Sequence, residues 1–249
     1  MLTQFGDWGT ILCVLAGALI GGFANGLTGF GTAMAGLPVW LQALEPVLAA
    51  QLASACSVLG HTITFPAVWH AVDRRRLAPV LIAGLIGVPI GVWILPRIGL
   101  SPFKAAVGAV LVVYSAFMLV AAGRVTLAAG GRGAEIVVGF IGGILGGIAA
   151  LSGAVPTMWA SLKAWPRDQR RVYFQAFNMA ILTAMLAASA VQGLMGWRFL
   201  LAVAIALPGT LLGAWLGSRL YRRLDDRSFD RVVLTLLLVS GLILLWSAL

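Results

Sequence analysis

The chain has 249 residues, of which 61% are hydrophobic and only 10% charged, and its mean hydropathy is +1.00. Soluble domains carry about 25% charged residues, so this composition excludes a soluble protein. The net charge of +9 does not indicate a nucleic-acid partner, because the excess of Lys and Arg in the cytoplasmic loops of membrane proteins produces the same balance.

The elements predicted along the chain have the lengths expected in a bilayer, whose hydrocarbon core of roughly 30 Å requires about 20 apolar residues per helix. In chain order they are a Gly-rich segment at 11–40, spans at 48–72, 77–96 and 103–123, a second Gly-rich segment at 134–160, and spans at 171–194, 199–219 and 230–248. The sequence therefore predicts an all-α polytopic membrane protein.

The second half of the chain repeats the first at an offset of about 121 residues. The matched stretches are 21–26 with 142–147, 51–57 with 172–178, and 87–97 with 209–219. We therefore predict a first transmembrane repeat at 1–123 and a second at 124–249, which together form one membrane domain.

The distribution of Lys and Arg indicates whether the Gly-rich elements cross the membrane. If all eight elements cross once, the 17 basic residues divide six to eleven, and the bias reverses between the halves. If 134–160 dips in and returns to the same side, the division is fourteen to three, which is the positive-inside pattern. No Lys or Arg precedes Arg74, so the dip of 11–40 is inferred from the repeat alone.

If both Gly-rich elements return to the side from which they entered, each half crosses the membrane three times. An odd number of crossings gives the second half the opposite orientation in the membrane to the first. We therefore predict two inverted repeats, each a re-entrant broken-helix hairpin plus three spanning helices, as in many secondary transporters; eight full spans are the alternative. Hairpin arms of about 12 residues would reach roughly 18 Å, which places the breaks near the bilayer midplane. Glycines would form the breaks, namely Gly26, Gly29, Gly31, Gly146, Gly147 and Gly153.

Polar side chains are rare in the apolar segments and recur on helix faces that the repeat relates. Those in 48–72 are spaced by three and four residues, and two more lie on the matching face of 171–194. The predicted substrate-binding residues are Asn25, Gly26, Thr28, Gly29, Thr32, Ser54, Ser57, His61, Gly147, Ser152, Gly153, Gln175 and Asn178. The alternative is that these groups form hydrogen bonds that hold helices together.

The chemistry of this set favours a small oxyanion over a cation, because it contains donors and no acid. Helix N-termini at the breaks would add partial positive charge without any cationic side chain. His61 is a candidate for proton coupling, and an uncharged, hydrogen-bonded histidine is the alternative. The sequence predicts no catalytic residue, metal site or cofactor, since it offers no nucleophile–base pair and no ligand set.

The motifs GGFANGLTGFG (21–31) and GGILGGIAALSG (142–153) resemble the paired Gly-rich motifs of the TauE/SafE sulfite exporter family, and the resemblance extends over essentially the whole chain. It implies secondary transport, as an exporter, of sulfite, sulfoacetate or other organosulfonates across a bacterial inner membrane. The usual second motif has paired prolines shortly after Ser-Gly, whereas Ser152-Gly153 is followed by Pro156 alone, so the resemblance leaves the substrate open.

Two other functions stay open at this point: an anion channel of the same architecture and, less favoured, a membrane-embedded enzyme. The expected partners are a small anionic substrate and the lipid bilayer, with no nucleic acid. A monomer and a homodimer are both compatible with the sequence. The re-entrant topology places both termini in the periplasm.

Overall fold

The computed structural model describes residues 7–64, 74–120, 131–163, 167–221 and 226–248, and within them it contains ten α-helices and no strand. The helices are α1 (Trp8–Thr28), α2 (Thr32–Trp40), α3 (Pro46–Thr64), α4 (Arg74–Ile94), α5 (Leu100–Val120), α6 (Arg132–Ala149), α7 (Ala154–Leu162), α8 (Arg167–Val191), α9 (Trp197–Tyr221) and α10 (Asp226–Trp246). Six of them are long and apolar enough to cross a membrane. The prediction of an all-α polytopic membrane protein is confirmed.

The six predicted spans correspond to α3, α4, α5, α8, α9 and α10, and the ends that lie in the described residues agree within four residues. A short 3₁₀ helix, Leu95–Arg97, continues α4. The ends of the 48–72 and 103–123 spans lie outside the described residues. Four of these helices, α4, α5, α8 and α9, are among the six described helices that are long and apolar enough to cross a membrane, whereas α3 and α10 are not, and α1 and α6 are the other two.

Each Gly-rich element forms a broken helical hairpin whose second arm folds back along the first. In the first hairpin, Nε1 of Trp40 donates to the carbonyl of Val14 at 3.1 Å, which brings the end of α2 beside α1. In the second, a Cβ built on Gly142 would lie 2.9 Å from the carbonyl oxygen of Ser152 and 3.2 Å from the ring of Pro156. The chain therefore reverses direction between α1 and α2 and again between α6 and α7.

The prediction of equal arms of about 12 residues was wrong. The long arms α1 and α6 have 21 and 18 residues, and the short arms α2 and α7 have nine each. The long arms are extended because each packs along a whole spanning helix, as described next. Both α1 and α6 are themselves long enough to cross a membrane.

Glycine contacts align each long arm with a spanning helix of the other half. A Cβ built on Gly22 of α1 would lie 2.5 Å from the carbonyl oxygen of Thr210 in α9, and α1 and α9 run parallel. In the same way, a Cβ on Gly147 of α6 would lie 2.5 Å from the carbonyl oxygen of Val88 in the parallel helix α4. Such close approach of two helix backbones is possible only where side chains are absent.

Helices α3 and α8, which occupy equivalent places in the two halves, run antiparallel beside each other. Nε2 of Gln51, near the start of α3, donates to the carbonyl of Leu194, just beyond the end of α8, at 3.2 Å. Helices α5 and α10 are also antiparallel, since Ser101 near the start of α5 donates to the carbonyl of Ala248 beyond the end of α10, and a Cβ on Gly108 would lie 2.8 Å from the carbonyl oxygen of Gly241. Within each of these two pairs, the helices therefore run in opposite directions.

These directions place the starts of α4, α6, α8 and α10 at one end of the bundle. Helix α8 is parallel to α6, because Cβ atoms on Gly142 and Gly146 would contact Phe177 and Ile181 in turn. Of the fourteen Lys and Arg residues in the part of the chain that the structure describes, eleven lie in or beside the helix ends at this end of the bundle, and Arg97, Lys104 and Arg198 lie at the other. We refer to the end that holds the eleven as the basic end.

Candidate functional site

The first hairpin is broken at residues 29–31, in a turn that two glycines allow. Gly29 (φ 78°) ends α1, and its N–H donates to the carbonyl of Asn25 at 2.8 Å; Gly31 (φ 99°) precedes α2. Both φ values lie in the left-handed region that side chains disfavour. The hydroxyl of Thr28 bonds the carbonyls of Ala24 and Phe30, so it holds the turn in place.

The second hairpin is broken at residues 150–153, and here an alanine occupies the left-handed position. Ala150 (φ 56°) ends α6 through a 2.9 Å bond from its N–H to the carbonyl of Gly146. Gly153, at φ −81°, precedes α7. The prediction that Gly26, Gly146 and Gly147 form the breaks was wrong, because all three lie inside helices.

The two breaks meet around a small central cavity. Four parts of the chain line it: the first break with the first turn of α2, the second break, Ser57 and His61 of α3, and Asn178 and Leu182 of α8. The free space has a volume of about 10 Å³, which is roughly the space that one water molecule requires. The hairpins are therefore closed around the cavity.

The N-terminus of α2 faces the cavity without a cap. Gly31 provides no side-chain cap, and Ala35 is the first residue of the turn whose N–H has a partner, the carbonyl of Gly31 at 3.0 Å. The N–H groups of Thr32, Ala33 and Met34 have no partner among the described residues. Unpaired N–H groups at a helix N-terminus, together with the helix dipole, attract negative charge.

Buried polar side chains surround the same region. The hydroxyl of Ser152 donates to Oδ1 of Asn178 at 2.6 Å. In the described part of the chain, both ring nitrogens of His61, both amide atoms of Asn25 and the hydroxyl of Thr32 are buried without a hydrogen-bond partner. Each such group carries a desolvation cost of about 1–3 kcal/mol, so their concentration here is typical of a ligand site.

The structure brings only some of the predicted site residues together. Thr32, Ser57, His61, Gly153 and Asn178 line the cavity, and Ser152 reaches it through Asn178. Asn25 lies beneath the first break, where a Cβ on Gly60 would meet its amide.

The remaining predicted residues lie outside the cavity lining. Thr28 ends α1 and holds the first break through its hydroxyl, Gly29 belongs to that break, and Gln175 is fully buried in α8. Gly26 and Gly147 serve helix contact instead, because their Cβ positions are occupied by α9 and α4. Ser54 donates to the carbonyl of Ala50 and to Sδ of Met185, which agrees with the packing interpretation of that residue.

Sequence reasoning missed the apolar part of the cavity wall, which consists mainly of Phe30, Met34, Leu151 and Leu182. A search for buried polar groups cannot find apolar residues. For Phe30 there was a signal, since it is the bulky residue between two glycines that break the helix.

The cavity wall contains no acidic residue, no lysine and no arginine. Over the described residues, no group of three His, Cys, Asp or Glu side chains could hold a metal ion. Charge recognition at this site would therefore come from backbone N–H groups and neutral donors.

Comparison with known proteins gave one result. A family model described as "Sulfite exporter TauE/SafE" matches residues 13–244, which include both hairpins and every residue that lines the cavity. No curated protein and no solved structure matches the chain significantly.

Proposed function

Since the chain belongs to the TauE/SafE sulfite exporter family, whose members are membrane transporters of sulfur-containing anions such as sulfite, we propose that it binds its anion between the two hairpin breaks. It is a multi-pass integral membrane protein. In this proposal it is a secondary transporter that exports sulfite, sulfoacetate or related organosulfonates across a bacterial inner membrane.

One observation carries the proposal. The uncapped N-terminus of α2, whose first three N–H groups have no partner in the part of the chain that the structure describes, faces a cavity whose wall holds no acid. A cation would find neither a carboxylate nor a favourable dipole there. The oxygen atoms of an oxyanion would accept hydrogen bonds from these N–H groups, as those of sulfate and phosphate do at other helix N-termini.

Side chains of α3 and α8 would complete the coordination. Because Oδ1 of Asn178 accepts the bond from Ser152, the amide NH₂ of Asn178 is the group left to donate to an anion. Nδ2 lies 3.1 Å from the Cβ position of Gly153, at the N-terminus of α7. His61 of α3 can donate from the opposite wall, and among the residues that line the cavity it is the one titratable group that could carry a proton with the anion. The hydroxyl of Ser57 donates to the carbonyl of Ala53 at 2.7 Å, so it would donate to the anion only by exchanging that bond.

The closed cavity supports alternating access over a continuous pore. A space of about 10 Å³ holds roughly one water molecule, so a four-atom oxyanion can enter only if the hairpins move apart.

The long arms start from opposite ends of the bundle, α1 from the end away from the basic residues and α6 from the basic end. We propose that the basic end is cytoplasmic and both termini periplasmic, with the chain divided into inverted repeats at 1–123 and 124–249.

Transport into liposomes tests this proposal. Purified protein is reconstituted, and uptake of sulfite, sulfate, sulfoacetate, taurine and thiosulfate is measured against protein-free liposomes. We expect saturable uptake and counterflow for at least one sulfur oxyanion and none for zwitterionic taurine. Single-channel currents in the same membranes would favour a channel. Absence of uptake of every anion by folded protein would contradict the proposal.

A further inference from the structure

Phe30 occupies the wall of the central cavity and also contacts two aromatic residues outside it. Its ring lies edge-to-face with Phe174 of α8 at a centroid distance of 5.8 Å, and with Tyr114 of α5 at 6.4 Å. Its Cδ2 atom lies 3.1 Å from the Cβ position of Gly153, at the other hairpin break. The side chain from the first hairpin thus covers the N-terminus of α7 in the second.

An apolar groove of about 440 Å³ lies on the other side of this aromatic contact, between α5, α6 and α7. It follows one face of α7 from Ala154, next to the second break, to Leu162 at the basic end. Tyr114 belongs both to the groove wall and to the contact with Phe30. The pair of Phe30 and Tyr114 therefore separates the central cavity from the groove.

The backbone that carries Phe30 has two features that would allow the side chain to move. Gly29 and Gly31 flank it at positive φ, and glycine passes between backbone regions without the steric cost that other residues have. The hydrogen bonds that hold the Phe30 backbone in this turn involve Thr28, which lies two residues earlier. Displacement of Phe30 therefore requires rearrangement of one local turn and leaves the packing of the long arm α1 on α9 intact.

We propose that Phe30 is a gate that closes the central cavity toward the apolar groove and thereby limits the size of anion that the cavity admits. With Phe30 in place the cavity has room for about one water molecule. With Phe30 displaced, the cavity joins an apolar space large enough for the carbon chain of an alkanesulfonate, while the sulfonate group stays at the N-terminus of α2. The size limit rests on the proposed function; the gating itself does not.

Thiol accessibility tests the gate without any transport assay. The reporter is Ser57→Cys on the cavity wall, in protein whose native cysteines are removed by Cys13→Ala and Cys56→Ala, and the probe is a sulfonate-bearing methanethiosulfonate reagent added to purified protein in detergent. Minor open states are typically populated at about 0.1–10%, so Phe30→Ala should raise the labelling rate about tenfold or more. The matched control is Phe117→Ala, which removes a ring from the groove wall and should leave the rate unchanged.

Two results would overturn the gate: equal labelling rates with and without the Phe30 ring, or an equal increase caused by Phe117→Ala. If Phe30→Ala does not fold, Phe30→Leu shortens the side chain with less loss of packing, and the same comparison applies.

Transport then tests the size limit. In liposomes, Phe30→Ala should raise the ratio of butanesulfonate to sulfite transport by about tenfold or more relative to the unmodified protein, in line with the expected increase in the open state. Unchanged selectivity with faster labelling would overturn the size limit and leave the gate supported. Failure of the unmodified protein to transport any sulfur anion would contradict the proposed function, whereas the labelling result would still decide the gate.

Discussion

The Ser152 hydroxyl donates a 2.6 Å hydrogen bond to Oδ1 of Asn178, and this bond joins the second hairpin break to the middle of α8. Both residues are buried, at 0% and 4% exposure. The bond fixes which side of the Asn178 amide can face an anion. It therefore links the position of the second hairpin to the geometry of the proposed site.

Replacement of Asn178 tests its role as a donor to the anion. Loss of one hydrogen bond to a charged group costs about 1.5–3 kcal/mol, so Asn178→Ala should weaken anion binding by roughly 10- to 150-fold. Asn178→Asp should be worse, because it brings a negative charge to the cavity. The measurement is the half-saturation concentration of uptake in liposomes, with melting temperature as the check on folding. A normal half-saturation concentration in both variants would place the site elsewhere.

Replacement of His61 can distinguish an effect on stability from an effect on transport. Its ring nitrogens have no hydrogen-bond partner among the described residues, so His61→Leu removes polar atoms without breaking a bond. We expect an unchanged or higher melting temperature, since removal of an unsatisfied buried polar group is neutral or stabilising, together with a large loss of transport. Leu182, in the equivalent place of the second half, shows that leucine is compatible with this cavity wall. A clear drop in melting temperature would indicate that His61 has a structural partner.

Glycine is required where α6 crosses α4. A Cβ on Gly143 would lie 2.7 Å from both the Cα and the carbonyl carbon of Gly84, so neither backbone has room for it. Overpacking typically costs about 1–3 kcal/mol, and Gly143→Ala should lower the melting temperature in detergent. The control is Gly133→Ala in the first turn of the same helix, where nothing lies within 4 Å of the added Cβ. Equal stability of the two variants would show that the close contact is absent in solution.

The topology proposal predicts which positions share a side of the membrane. Single cysteines placed by Gly133→Cys and Lys163→Cys, at the two ends of the second hairpin, should be labelled from the cytoplasmic side. Gly196→Cys, between α8 and α9, should be labelled from the periplasmic side. An impermeant maleimide applied to right-side-out and inverted vesicles distinguishes the sides. Labelling of positions 133 and 163 from opposite sides would disprove the re-entrant arrangement of the second hairpin.

The helices could be predicted from sequence because apolar length and loop charge act over whole segments. The lengths of the hairpin arms could not be predicted, since they depend on contacts between distant parts of the chain. Gly26 and Gly147 illustrate the limit: from sequence they resemble break positions, but their missing Cβ atoms allow close contact with α9 and α4. Ala150 illustrates the converse, because nothing in its residue type indicates a positive φ.

Only polar residues of the candidate site could be predicted from the sequence. His61 and Asn178 stood out because polar side chains are rare in this chain, and both line the cavity. Ser54 had the same signal but forms hydrogen bonds within the helix packing. Helical periodicity gives the face on which a residue lies but not the neighbour that it contacts. Only the structure could therefore distinguish residues that line the cavity from residues that hold helices together.

Each long arm packs against a spanning helix of the other half of the chain, and this arrangement has a consequence for assembly. The face of α1 that carries Gly22 and Gly26 packs against α9, so a polypeptide ending after α5 would expose close-contact backbone to lipid. The face of α6 that carries Gly143 and Gly147 packs against α4 in the same way. In a fragment of either kind this face would be covered only when the other half of the chain is present in the same membrane. Independent folding of either half is therefore not expected, and co-synthesis of the two fragments should be required for either to persist in the membrane.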